Sequence, residues 1–164
     1  LYNDGDIGID INGWNINDAD LNSHQIDNGT SLIIPAKSFL VLGRNSDSLL
    51  NGGYTPDYVY SGFQLKNTED KIILDDGNTE IARIDYDTDW PIYAARSINF
   101  SGSGEVNNPS NWFAAPQTAE FVFGMGDYGT PGALNVIPEP STMILWSGSL
   151  LSFLVMKRKK KVKN

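Results

Sequence analysis

The 164-residue chain contains no cysteine. That excludes disulfides and thiolate chemistry, and with a single histidine it leaves zinc without a ligand set. The one imidazole, His24, lies in the polar run Asn22-Ser23-His24-Gln25 and reads as a surface-loop residue rather than the base of a triad. Cations are scarce as well until the end of the chain. Residues 1–137 hold six Lys and Arg against nineteen Asp and Glu, a net of −13. A body so acidic repels phosphate backbones, so nucleic acid is not an expected partner. Also missing before residue 138 is any sustained 3.6-residue apolar period, which removes amphipathic helices from the expected architecture.

Short β-rich runs between turn clusters are what remain. They fall at 13–16, 31–34, 39–42, 58–60, 71–74, 80–86, 95–100 and 112–114, separated by stretches rich in Asn, Asp, Gly and Ser. Asp76-Gly77, set between Ile72-Ile73-Leu74 and Ile81-Ala82-Arg83-Ile84, predicts a hairpin. Pro35-Ala36-Lys37-Ser38 predicts a turn, and Gly129-Thr130-Pro131-Gly132 predicts the end of the domain. Trp14, among alternating polar and apolar neighbours, predicts a core aromatic. This is an all-β pattern at sandwich or barrel spacing.

The pieces resemble a known family. Asp10-Ile11-Asn12-Gly13-Trp14 followed by Asn17-Asp18 is similar to the "D-L-S-G-W…D" opening of lamin tail domains. The run from Ile34 to Leu42 resembles their "I-P-x-G-x-x-L-V-L" strand pair, with Lys37 in the place of the usual glycine. Gly62 to Asn67 with Lys71 to Leu74 resembles "F-x-L-x-N-x-G-D-x-I-x-L", with Glu69 before Asp70. Arg96-Ser97, Asn111-Trp112 and Gly129 to Asn135 resemble the closing run. The resemblance implies an immunoglobulin-like β-sandwich over residues 1–136, acting as an interaction module. Leu1-Tyr2-Asn3 reads as a strand-to-loop passage, so a first strand, and an export signal before it, are expected upstream.

The tail is of another kind. Residues 137–142 contain Pro138-Glu139-Pro140, whose two fixed φ angles and two missing donors exclude a helix interior or a strand. Met143 to Met156 is apolar without a charge, and Lys157, Arg158, Lys159, Lys160 and Lys161 open the basic tail, 157–164. Fourteen residues are short for a bilayer core of about 30 Å, but Ser141 and Thr142 extend one end and lysine stems snorkel at the other. The expectation is a single transmembrane helix over 143–156, with the cations cytoplasmic and the body outside. Motif, span and basic block in this order resemble a PEP-CTERM sorting signal. That resemblance implies export, processing by an exosortase-type membrane protease, and a place in the cell envelope among biofilm or exopolysaccharide components.

Chemistry is thin elsewhere. Gly124 to Gly129 matches G-x-G-x-x-G, but Thr130-Pro131-Gly132 follows where a phosphate site needs a helix. Asp18-Ala19-Asp20-Leu21-Asn22 and Asp85-Tyr86-Asp87-Thr88-Asp89 place oxygens at alternate positions like the start of a calcium loop, yet both lack its Gly and Glu. Alternating acids read first as a solvated face, and Asp85, Asp87 and Asp89 are the better calcium candidates. No cofactor is expected. A glycosidase needs two acids across a cleft, and no cleft is expected in so small a sandwich. The expectation is therefore a non-enzymatic surface or matrix protein that binds another surface protein or a polysaccharide. The alternatives are an accessory domain of a larger secreted hydrolase or nuclease, and a calcium-dependent adhesion module.

Overall fold

A computed structural model describes residues 1–135, other than Ala19 and Leu21. In chain order the strands are β1 (Tyr2–Asn3), β2 (Ile9–Asp10), β3 (Asn15–Asn17), β4 (Ser23–Gln25), β5 (Ile33–Ile34), β6 (Ser38–Phe39) and β7 (Leu42–Gly43). They continue as β8 (Tyr58–Val59), β9 (Asp70–Asp75), β10 (Glu80–Tyr86), β11 (Ile98–Phe100), β12 (Trp112–Ala114), β13 (Val122–Phe123) and β14 (Asp127–Tyr128). The only helical pieces among the described residues are two single 3₁₀ turns, Pro109–Asn111 and Ala119–Phe121. None of the described helices is long and apolar enough to cross a membrane.

A four-stranded antiparallel sheet in the order β10-β9-β3-β4 is the largest unit. Its inner strand β9 explains its own sequence. Ile73 and Leu74 point to opposite faces and are both buried, so β9 is covered on both sides and reads as a continuous apolar run. The predicted Asp76-Gly77 turn is present. The Asp76 carboxylate accepts from the Asn78 and Thr79 amides at 2.8 and 2.7 Å, and Gly77 takes φ +89°. Two-stranded ribbons β1–β6, β2–β5, β7–β8, β11–β12 and β13–β14 complete the body, β7–β8 alone being parallel.

The main core gathers Ile11, Ile26, Ile34, Leu40 and Leu74, with Trp14 and Tyr58 packed against it. Ile11 and Ile26 are fully buried, each stabilising the fold by about 2 kcal/mol through area removed from water. A second, aromatic cluster links Tyr86, Trp90, Trp112 and Phe100 at successive centroid distances of 6.3, 5.1 and 5.3 Å. The all-β architecture is consistent with an immunoglobulin-like sandwich.

Several expectations need correction. The run 39–42 is two strands, because Val41 between them gives its amide to the Asp57 carboxylate at 2.7 Å instead of a ladder partner. The run 95–100 begins only at Ile98, since Ala95 sits at φ +59°. His24 is not a surface-loop residue. It lies in β4, opposite Ile16, where Nδ1 accepts from the Ser61 amide at 3.2 Å and Nε2–H therefore donates to Tyr58 Oη at 2.8 Å. One expectation is met: the glycine-rich Gly124-Met125-Gly126 is the tip of the β13–β14 hairpin, and among the described residues no helix follows it.

Candidate functional site

One end of the four-stranded sheet is acidic by construction. Antiparallel pairing of Tyr86 with Asp70 and of Asn17 with Ile73 brings the end of β10, the start of β9 and the β3–β4 loop to the same edge. Both alternating-acid segments thus meet there. Asp18 and Asp20 from the first, and Asp85 and Asp87 from the second, line one depression of about 320 Å³ with Asp70 and Tyr86. A cleft therefore exists where none was expected from the sequence.

Each carboxylate has a task of its own. Asp18 is 3% exposed, which corrects its reading as part of a solvated face. Its Oδ1 accepts from the Asp20 and Asn22 amides at 2.9 and 3.3 Å, and its Oδ2 from Asn22 Nδ2 at 2.7 Å. The Asn22 side chain, then burial working the other way, then the loop amides set a carboxyl pKa below the ordinary aspartate value. Asp70 holds the Lys66 and Lys71 amides at 2.8 and 2.9 Å. Asp85 is held by Arg83 Nε, at 2.9 Å from Oδ1 and 3.0 Å from Oδ2, a pairing that raises the guanidinium pKa. Asp87 closes a turn by accepting the Asp89 amide at 2.9 Å, and Asp89 itself is exposed. Lys66 Nζ stands 3.5 Å from Asp20 Oδ2 at the rim.

The calcium candidates Asp85, Asp87 and Asp89 are therefore dispersed, one in a strand and two in the turn after it. Among the described residues no three acidic or imidazole side chains converge closely enough to hold a metal ion. The floor is Tyr86, whose hydroxyl donates to the Lys66 carbonyl at 2.6 Å. Burial, with Asp70 nearby, pushes its pKa up to about 12. The other predicted functional residues, Pro138, Glu139, Pro140, the span Met143 to Met156 and the cations Lys157 to Lys161, lie outside the described residues.

The same habit, side chains closing loops, accounts for the sequence motifs. Asp10 Oδ1 accepts from the Asn12 and Leu32 amides at 3.0 and 2.9 Å, joining the turn after β2 to the approach of β5. Those amide bonds hold its pKa below the usual carboxylate range. Gly13 takes φ +87° in that turn and Trp14 follows it onto the core. Lys37, in the usual glycine place, has φ +52°, which is the backbone conformation that makes glycine the ordinary choice. Its ammonium compensates by reaching the Asp4 carbonyl and, at 3.1 Å, the Asp4 carboxylate. A residue that the sequence did not single out is Asn99, the most buried residue of β11 at 4% exposed.

Comparison with known proteins agrees with these motifs. The family model described as Lamin Tail Domain matches residues 1–88, from β1 to just beyond β10. The resembling segments at 96–97, 111–112 and 129–135 lie past that match. No curated protein and no solved structure matches the chain. With more than half of its length under the family model, and with Asp10, Gly13, Trp14, Lys37 and Asp70 in the structural roles just described, the chain belongs to the lamin tail domain family.

Proposed function

We propose that the body is a non-catalytic interaction module, and that the tail exports it, anchors it and presents it for processing. Membership of the lamin tail domain family, matched over residues 1–88, supports the first part, a β-sandwich that serves as an interaction module. The acids at the sheet end are tied up in backbone amide bonds or with Arg83 and Lys66, which fits a binding scaffold better than acid–base chemistry. The address rests on the order of the tail: Pro138-Glu139-Pro140, an uncharged apolar segment, then six cations within 157–163. In this reading the partners are a membrane, an exosortase-type protease, and a surface protein or polysaccharide outside the cytoplasm.

The test is intact mass and cell fraction of the chain, carried behind a secretion signal peptide in a host with such a protease, beside a variant with Pro138, Glu139 and Pro140 changed to Ala. A mature form lacking the apolar segment and basic block, found outside the cell, is expected only for the wild type. Uncut protein in both strains reduces the tail to a plain anchor. Soluble cytoplasmic protein in both removes the export reading altogether.

A further inference from the structure

Between the central sheet and the β11–β12 ribbon lies a cavity of about 350 Å³. Ile72 and Ile84, cross-strand partners on β9 and β10, line it from the sheet. Ile98 and Trp112 line it from the ribbon, and Ile92 adds to this mostly apolar surface. Arg96, two residues before Ile98, brings a guanidinium to the same wall. Lys66 also borders the cavity, with its ammonium 3.5 Å from Asp20 Oδ2.

The Arg96 guanidinium is held along one edge and free along another. Nε donates to the Ala115 carbonyl at 2.7 Å and Nη2 to the Ala114 carbonyl at 3.2 Å. These two nitrogens form the side edge of the plane, and the Tyr93 ring, 5.2 Å from Cζ, fixes it further. Unspent is the end edge, made by Nη1 and the second N–H of Nη2. Nη1 is not sealed in. Among the described residues Asn99 Nδ2 is the one buried side-chain nitrogen or oxygen without a partner, so Nη1, which also has none, is open to solvent. Lys37, Lys66 and Arg83 each face a carboxylate, at 3.1, 3.5 and 2.9 Å. In a body with so large an excess of acids, Arg96 has no such partner among the described residues.

From this we propose that the cavity is a binding site for a small monocarboxylate with an apolar body. A guanidinium edge offers two parallel N–H groups, the spacing that two carboxylate oxygens match. The oxygens take the free end of Arg96, and the body packs against Ile72, Ile84 and Trp112. One negative charge is the limit, because Lys66 is already turned to Asp20 and a second charge would stay uncompensated. The volume suits a single aromatic ring or a short aliphatic chain. The tail takes no part, so the site stands or falls separately from the proposed export.

The test compares phenylacetate with phenylacetamide, which has nearly the same shape without the charge. The ¹⁵N-labelled full chain is held in nanodiscs of zwitterionic lipid, with empty nanodiscs correcting for partition. The Arg96 Nε–H and Trp112 indole N–H signals are followed by NMR. Expected are saturable shifts of both signals and about tenfold tighter binding of the carboxylate, the equivalent of about 1.4 kcal/mol. Arg96→Gln should bind the two compounds alike. Should that variant fail to fold, the wild-type comparison still decides, since the amide controls for shape and the two signals report the place. The proposal is overturned by no saturable binding of phenylacetate, by equal affinities in the wild type, by binding that leaves both signals unmoved, or by a preference that survives in Arg96→Gln.

Discussion

Replacing Tyr86 by Phe removes one oxygen and keeps the ring against Trp90. The oxygen is worth a calculable amount. At pH 8 it donates to the Lys66 carbonyl at 2.6 Å, a bond contributing about 1 kcal/mol net. For a body of this size the loss lowers the melting midpoint by about 4 °C. The pH dependence is the sharper signature. The folded pKa is raised from 10.0 to about 12, so between those values the unfolded chain has released a proton that the folded one still holds. The stabilisation is complete below pH 10 and disappears as pH rises through about 12. That span corresponds to about 2.7 kcal/mol at full burial, and to about 1 kcal/mol once the partly solvated hydroxyl edge is discounted. Tyr60, also raised by burial, titrates in both proteins, and its charge is one of the causes of the rise at Tyr86, after burial and Asp70. Urea unfolding followed by tryptophan fluorescence from pH 8 to 12 should therefore show Tyr86→Phe less stable at pH 8 and the gap closing by pH 12. A gap that stays constant above pH 10, or no gap at pH 8, refutes the reasoning.

Gly53→Ala should cost about 3 kcal/mol in urea unfolding, from a positive φ together with collision against Gly124, whereas Gly77→Ala, at φ +89° with open space around its Cβ, should cost about 1 kcal/mol. Equal losses at the two positions would remove the loop contact from the account. Ala95→Gly should stabilise by about 0.5 kcal/mol, because relief at φ +59° exceeds the added freedom of the unfolded chain; a lower melting temperature would contradict that. Calcium at millimolar concentration and EDTA should give the same melt, since Asp18 and Asp85 are committed within the fold; a calcium-induced rise would mean that these bonds yield to the ion.

The long, strongly patterned strands are legible in the sequence, and the short polar ones much less so. Ile72-Ile73-Leu74 and the Asp76-Gly77 turn announced the β9–β10 hairpin because burial on both faces leaves an apolar run and the turn needs positive φ. Ser23-His24-Gln25 gave no such signal: β4 is an edge strand whose histidine is satisfied by the distant Tyr58 and Ser61. The two-residue strands β1, β2, β13 and β14 are too short for any period to register. The acidic end was half legible. Spacing flagged both segments, but only pairing across the sheet shows that they meet, and only the bonds show that Asp18, Asp70 and Asp87 are spent on backbone amides and Asp85 on Arg83. Asn99 was illegible because its facing depends on β12 and on the loops above it.

The register of the central sheet also sets how the chain has to fold. Its two halves, β3–β4 and β9–β10, are local hairpins, and such units form in microseconds. Joining them requires Asn15 to find Asp75, so a long intervening loop must close before the sheet gains anything from that pairing. Asn15 and Asn17 then clasp the two oxygens of Asp75 at 2.8 and 3.0 Å. The slow event is the meeting of two preformed hairpins, and while they wait, β3 and β9 present unpaired edges to any other chain. An incompletely folded body would thus expose its most apolar strand, Ile72-Ile73-Leu74, at the moment it is most able to pair with a neighbour.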